Sequence, residues 1–313
     1  MSKPSIVILG AGGVGGYFGA RLIEYEAADV TFLVREARKA VLMRDGLSLI
    51  SPFGNIRGMR VDAQTSPDLA GKAPDYLFLT CKAYDLDAAI ETIAPVVGPS
   101  TAIVPLLNGI AHIDRLNQRF SREQILPGSV SLQVRQQADG TIEHLNEWQF
   151  FTVGEQDSGI SKRVERLVSA LEATKVTPTA SPHIMQKMWE KIVMLATLAA
   201  MTTLMRAPLG AIASAPGGTE LSHRMLELNA GASANAGYPI PASQLNQWRI
   251  IFSDIHSTFA ASMLGDMERG APVEADHIVG YMRDRVREAG LDTTLHDVAY
   301  ANLKVYESRR QTS

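Results

Sequence analysis

Gly10-Ala11-Gly12-Gly13-Val14-Gly15 has the spacing G-x-G-x-x-G, a pattern whose chemistry is the recognition of a pyrophosphate. The first glycine permits a tight turn, the second lets the backbone approach the phosphates, and the third lets a helix pack closely on the preceding strand, its N-terminus facing the negative charge. The pattern carries weight because an apolar strand precedes it and a helical pattern follows. About 20 residues beyond the last glycine, where an Asp or Glu would bind the ribose hydroxyls of NAD, stands Arg35. A guanidinium there suits the 2′-phosphate of NADP through bidentate, charge-assisted hydrogen bonds, and Arg38 and Lys39 add positive charge nearby. The alternative is that Arg35 is a solvated loop residue and Glu36 is the ribose ligand.

A lysine in an apolar setting is the second chemically suggestive group. Residues 183–205 have helical length, and Ile184, Met188, Leu195 and Leu198 fall on one stripe by i+3 and i+4 steps, with Lys191 among them. Desolvation favours the neutral amine, so this ammonium should give up its proton more readily than in water, as a general acid acting on a carbonyl oxygen near neutral pH must. Alternatively, Lys191 snorkels to the surface and pairs with a carboxylate such as Glu190. Glu274 falls in the first turn of a helix expected to begin near Pro272, where a carboxylate also has a purely structural place beside the helix dipole.

These groups need a scaffold, and 313 residues with 46% hydrophobic and 20% charged content suffice for two folded domains. Residues 5–9 and 30–34 read as buried strands around a helix over 14–25, and the apolar runs 76–80 and 102–107 alternate with a helix over 85–94, the order of a doubly wound α/β Rossmann domain. Residues 125–153 read as a hairpin-like extension of the same sheet. Prolines and small residues interrupt the pattern near 177–183, and an all-helical remainder follows. The expected domains are 1–181, for NADP, and 182–313, for substrate and catalysis, with a cleft between them for the reactants. A net charge of −3 and the absence of a basic run exclude nucleic acid as an expected partner. The single cysteine, Cys81, and the lack of a Cys/His cluster point to a reducing cytoplasm and no metal. The glycine-rich start is not an export signal, and the apolar stretch 192–205 is too short to span a membrane. That stretch suits a homodimer interface as well as a buried core.

Taken together, these residues resemble the ketopantoate reductase (2-dehydropantoate 2-reductase) family along almost the whole chain. The likeness rests on GAGGVGGYFGARL near the start, Arg35 after the second strand, Thr80-Cys81-Lys82-Ala83, Leu107-Asn108-Gly109, Trp189-Glu190-Lys191, Ser262-Met263-Leu264 and Glu274-Ala275-Asp276. The resemblance implies NADPH-dependent reduction of a 2-keto acid or related ketone. It makes Lys191 the general acid and Glu274 the residue that orients substrate and lysine. It also places Asn108 against nicotinamide and substrate, Lys82 near the cofactor, and Ser262 at the carboxylate end of the substrate.

Departures from that pattern concern the substrate. In the family, asparagines usually stand four and eight residues after the catalytic lysine; here those positions are Leu195 and Ala199. The polar position expected before Gly210 is Leu209, and the asparagine expected before Gly280 is Val279. An unmet hydroxyl would cost about 1–3 kcal/mol, so the expected acceptor keeps a carbonyl and a carboxylate but carries an apolar group where ketopantoate has its hydroxymethyl. Two other readings stay open. One is an NADP-dependent hydroxy-acid dehydrogenase working in the oxidising direction. The other is a non-catalytic NADP(H)-binding sensor, which the lost asparagines favour and the retained Lys191, Glu274, Ser262 and Asn108 oppose.

Overall fold

The computed structural model describes residues 3–311. The chain forms two compact units, one of Met1–Leu107 and His112–Met185, the other of Asn108–Ala111 and Gln186–Ser313.

In the first unit, β1 (Ser5–Leu9), α1 (Gly13–Glu24), β2 (Asp29–Leu33), α2 (Glu36–Asp45), β3 (Leu47–Ile50), β4 (Ile56–Met59), β5 (Asp62–Gln64), β6 (Tyr76–Leu79), α3 (Leu86–Ile93), β7 (Ala102–Pro105) and α4 (Ala111–Asn117) follow in order. They are succeeded by β8 (Gly128–Ser131), β9 (Val134–Gln136), β10 (Ile142–His144), β11 (Phe150–Val153), α5 (Lys162–Glu172) and β12 (Thr177–Ala180). The central sheet has the order β5-β2-β1-β6-β7, with every pairing parallel. Buried runs such as Tyr76–Leu79 and Ala102–Pro105 supply it, as expected for strands covered on both faces. The strand order reverses at β1, between β2 and β6, and ligands of such sheets bind at the carboxyl ends of the strands beside that switch point.

Apart from a single parallel bridge between Ile125 and Ile103 of β7, residues 125–153 do not extend this sheet. The β9–β10 hairpin joins β3 and β4 in a sheet of order β4-β3-β10-β9, while β11 pairs with β12 on one side and β8 on the other in a third. The cause lies in α1, where Gly15 to Leu22 are all buried. One face of that helix packs on the parallel sheet, so the other needs a second apolar layer. Leu49, Ile56 and Ile142 provide it from the four-stranded sheet, with Ile142 lying against Gly16 of α1.

The second unit is helical: α6 (Ile184–Met205, whose first two residues fall in the first unit), α7 (Leu209–Ser214), α8 (Gly218–Asn235), α9 (Ala242–Ser253), α10 (Ser262–Glu268), α11 (Tyr281–Glu288) and α12 (Thr294–Gln311). No glycine or proline interrupts α6. It stops where Arg206 takes a φ of +53° and Pro208 follows. By length and composition α6 could cross a membrane, but 67% of its apolar window is buried within the protein, as in a core helix. Its buried threonines do not leave hydroxyls unmet: Thr197, Thr202 and Thr203 each donate to the carbonyl four residues back, at 2.7 Å. A polar thread then crosses the core, with His296 of α12 donating Nε2–H to Asn229 Oδ1 (2.8 Å) and Asn229 Nδ2 donating to Thr197 Oγ1 (2.9 Å). Between α10 and α11 a single π-helical turn, Asp276–Gly280, is pinned to α12 by Tyr300 and Lys304, which donate to Asp276 at 2.5 and 3.1 Å.

Candidate active site

The glycine turn occupies the switch point of the first unit. Gly10 leaves β1 with φ +94°, a conformation costly for a side chain, and its N–H donates to Leu33 O of β2 at 2.9 Å. A Cβ on Gly15 would lie 2.3 Å from Gly10 O and 2.5 Å from Thr80 Oγ1, so close helix–strand packing forbids one. A Cβ on Gly12 would meet no atom of the described residues within 4 Å. Packing therefore does not require this glycine, whereas a phosphate lying against the backbone would. Gly13 and Val14 open α1, which has no side-chain cap and no acidic residue in its first turn. Its N-terminal amides and partial positive charge thus suit an anion. Turn, strand end and helix terminus together fit a dinucleotide pyrophosphate.

Charged residues expected around this turn behave differently from one another. Arg35 caps α2 immediately beyond β2 and is exposed, available to a phosphate. Lys39 is committed elsewhere, to Asp68 at 2.7 Å, an ion pair that raises the lysine pKa and holds the Asp68 carboxyl well below the usual range. Arg38 donates Nη2 to Ala11 O inside the glycine turn and to Gly140 O of the β9–β10 turn, both at 3.3 Å. Lys82 is exposed just beyond β6 and caps a short 3-10 turn at Ala83–Asp85. Thr80, passed over in the sequence as merely part of a motif, ties β6 to β1 by donating its hydroxyl to Leu9 O at 2.7 Å. Its only signal was its position at the end of an apolar run.

In the second unit Lys191 lies on α6, half-buried, and desolvation pulls its pKa down to about 8. The neighbouring Glu190 accepts from Lys187 Nζ at 2.8 Å and from Gln186 Nε2 at 3.2 Å. Trp189 is buried, stacked on Tyr238 with centroids 5.8 Å apart and tilted against Tyr281 at 6.3 Å, which fixes this turn of α6. Glu274 is 8% exposed, a burial that a carboxylate tolerates only with partners. It stands just before the helix and not within its first turn, which begins at Ala275, and its backbone carbonyl accepts from Ile278 N–H at 3.2 Å.

Asn108 is half-buried and is grouped with the second unit. Beside it Gly109 packs so tightly that a Cβ would lie 3.1 Å from His277 O, so the Asn108–Gly109 turn abuts the π-helical turn that follows Glu274. Ser262 is exposed at the start of α10, and the adjoining Ala261 N–H donates to Thr202 Oγ1 at 3.4 Å, about three turns of α6 beyond Lys191. Of the four positions where asparagine was expected, Ala199, Leu209 and Val279 are no more than 1% exposed. Leu195, one turn after Lys191, keeps an exposed face.

The family model described as ketopantoate reductase PanE/ApbA matches residues 6–158, and its C-terminal counterpart matches residues 183–307. An uncharacterized oxidoreductase of Bacillus subtilis (strain 168), YkpB, is 32% identical over 309 residues, covering 97% of this chain and 99% of its own. A 2-dehydropantoate 2-reductase of Mesorhizobium japonicum is 28% identical over 318 residues, covering 95% of each chain. Among solved structures, a ternary complex of D-mandelate dehydrogenase with NADH and anilino(oxo)acetate has the same fold, with a TM-score of 0.85, 17% identity and coverage of 98% and 99%.

Proposed function

The chain belongs to the ketopantoate reductase PanE/ApbA family, and from that membership we propose that it reduces a small 2-keto acid to the 2-hydroxy acid with NADPH. The observation that carries this reading is Lys191, a lysine brought by burial to a pKa of about 8, near the value at which an acid both holds its proton at neutral pH and yields it readily.

NADPH supplies the hydride. The Gly10–Gly15 turn and the first amides of α1 hold its pyrophosphate, Arg35 pairs with the 2′-phosphate, and Lys82 adds charge at the end of β6. Lys191 Nζ donates a proton to the substrate's carbonyl oxygen, and before transfer its charge stabilises the developing alkoxide. The resulting amine regains its proton from solvent. Glu274 orients substrate and lysine, Asn108 positions the reacting carbonyl, and Ser262 donates to the substrate carboxylate.

Leu195 supports an acceptor with an apolar group near the carbonyl, since it is the one position of the four with an exposed face. The test is NADPH oxidation by the purified chain over a panel of 2-keto acids including ketopantoate, with Lys191→Ala in parallel. Turnover of an apolar 2-keto acid, reduced at least 100-fold in the variant, is the expected result; general acids contribute about 10²–10⁴-fold. Preference for ketopantoate would overturn the assignment of the acceptor, and nucleotide binding without turnover would identify a sensor. Because the D-mandelate dehydrogenase neighbour was solved with NADH, NADH is run alongside; equal use of both nucleotides would remove the role given to Arg35.

A further inference from the structure

The peptide joining Ala11 to Gly12 is gripped from one side by two side chains that arrive from separate elements. Arg38, in the first turn of α2, donates Nη2 to Ala11 O at 3.3 Å, and Gln136, on β9, donates Nε2 to the same oxygen at 3.3 Å. Both also reach Gly140 O in the β9–β10 turn, at 3.3 and 3.5 Å. A Cβ on Gly140 would lie 2.5 Å from Arg38 Nη1, so the hairpin closes directly onto the guanidinium. Every described peptide bond is trans, and in a trans peptide the C=O and N–H point in opposite directions. A carbonyl drawn toward Arg38 and Gln136 therefore sends the Gly12 N–H away from the hairpin, at a residue whose Cβ position is open.

We propose that Arg38 and Gln136 are positioning residues for the dinucleotide: they lock the Ala11–Gly12 peptide so that the Gly12 amide is aimed at the pyrophosphate. Their effect reaches the cofactor through the backbone and falls equally on NADPH and NADH, unlike that of Arg35, which meets only the 2′-phosphate. Arg38 would otherwise pass for a second 2′-phosphate ligand, but its Nη2 is directed at two backbone carbonyls. This inference rests on the reading of the glycine turn as a dinucleotide site.

Fluorescence titration of the full chain with NADPH and with NADH tests it, in the wild type, Arg38→Ala, Arg38→Lys, Gln136→Ala and Arg35→Ala. For Arg38→Ala the dissociation constants of both nucleotides should rise by the same factor, about three- to tenfold for loss of hydrogen bonds that fix a binding group, leaving their ratio unchanged. Arg38→Lys, which keeps a charged donor, should recover part of the loss. Gln136 is exposed, so Gln136→Ala should fold normally, show a smaller loss of the same kind, and carry the test if Arg38→Ala is unstable. Arg35→Ala should weaken NADPH alone. A loss confined to NADPH in Arg38→Ala would make that arginine a 2′-phosphate ligand and overturn the proposal, as would unchanged binding in both Arg38→Ala and Gln136→Ala. Failure of the wild type to bind either nucleotide would overturn the reading of the turn itself, and the inference with it.

Discussion

Gly12 and Gly15 belong to one fingerprint, but only Gly15 excludes a side chain by packing. At Gly15 the space is filled by Gly10 O and Thr80 Oγ1, while at Gly12 it is open. Gly15→Ala should therefore cost about 1–3 kcal/mol of stability by overpacking, measured by urea unfolding. Gly12→Ala should leave unfolding nearly unchanged while weakening nucleotide binding at least tenfold, measured by fluorescence titration. Equal effects of the two on stability would mean that Gly12 is a packing residue. Lys191 adds a pH dependence: with a pKa of about 8 against 10.5 for an ordinary lysine, the acid form is lost as pH rises through 8. The pH profile of kcat/KM for reduction should fall above about pH 8. The linked stability has its own sign. Between 8 and 10.5 the unfolded chain binds the proton that the folded chain has released, so stability from this group rises with pH across that window and is least below it. A profile flat to pH 10 would remove Lys191 as the proton donor.

At the scale of elements, α6 is fixed by the thread His296–Asn229–Thr197, whose members come from α12, α8 and α6. Asn229→Ala should strand the Thr197 and His296 groups in the core and cost about 2–3 kcal/mol, readable by urea unfolding; a loss below 0.5 kcal/mol would mean that other contacts hold the helix. Burial lowers the His296 pKa to about 4, so the unfolded chain takes up the proton first and stability from this group is lost as pH falls from 6.5 toward 4. Elements with strong local signals were legible: β1 coincides with the run 5–9, and α6 begins and ends within a residue of the stretch 183–205. The secondary sheets were not. β3 and β4 are short, and β3 joins them to a non-local partner, Ile142 of β10 pairing with Leu49 across nearly half the first unit; no local periodicity encodes that pairing. The same limit applied to the site. Fingerprint spacing exposed Gly10, Gly12 and Gly15, but the commitment of Lys39 to Asp68 and the grip of Arg38 on Ala11 depend on contacts between residues far apart in sequence.

Across the whole molecule the proposed roles divide between the two units. Gly10, Gly12, Gly13, Val14, Gly15, Arg35 and Lys82 belong to the first; Lys191, Glu274, Ser262 and Asn108 belong to the second, Asn108 through a four-residue segment inserted between β7 and the body of α4. Binding energy from NADPH should therefore enter the molecule mainly through the first unit. At about 100-fold excess over its Kd a ligand that binds only the native state adds about 2.7 kcal/mol, and amide exchange that proceeds through unfolding of that unit slows in proportion. Hydrogen exchange with and without NADPH should show protection at the glycine turn, the start of α2, the Ala83–Asp85 turn and the β9–β10 turn that Arg38 joins to Ala11. Exchange in α8 and α9, which carry none of the proposed contacts, should be unaltered. In the second unit the one expected exception is the segment at Asn108, because that side chain is assigned to the nicotinamide. Protection centred on α8 or α9 would move the nucleotide away from the glycine turn, whereas protection at the turn without any at Asn108 would leave the dinucleotide in place and remove Asn108 from its site.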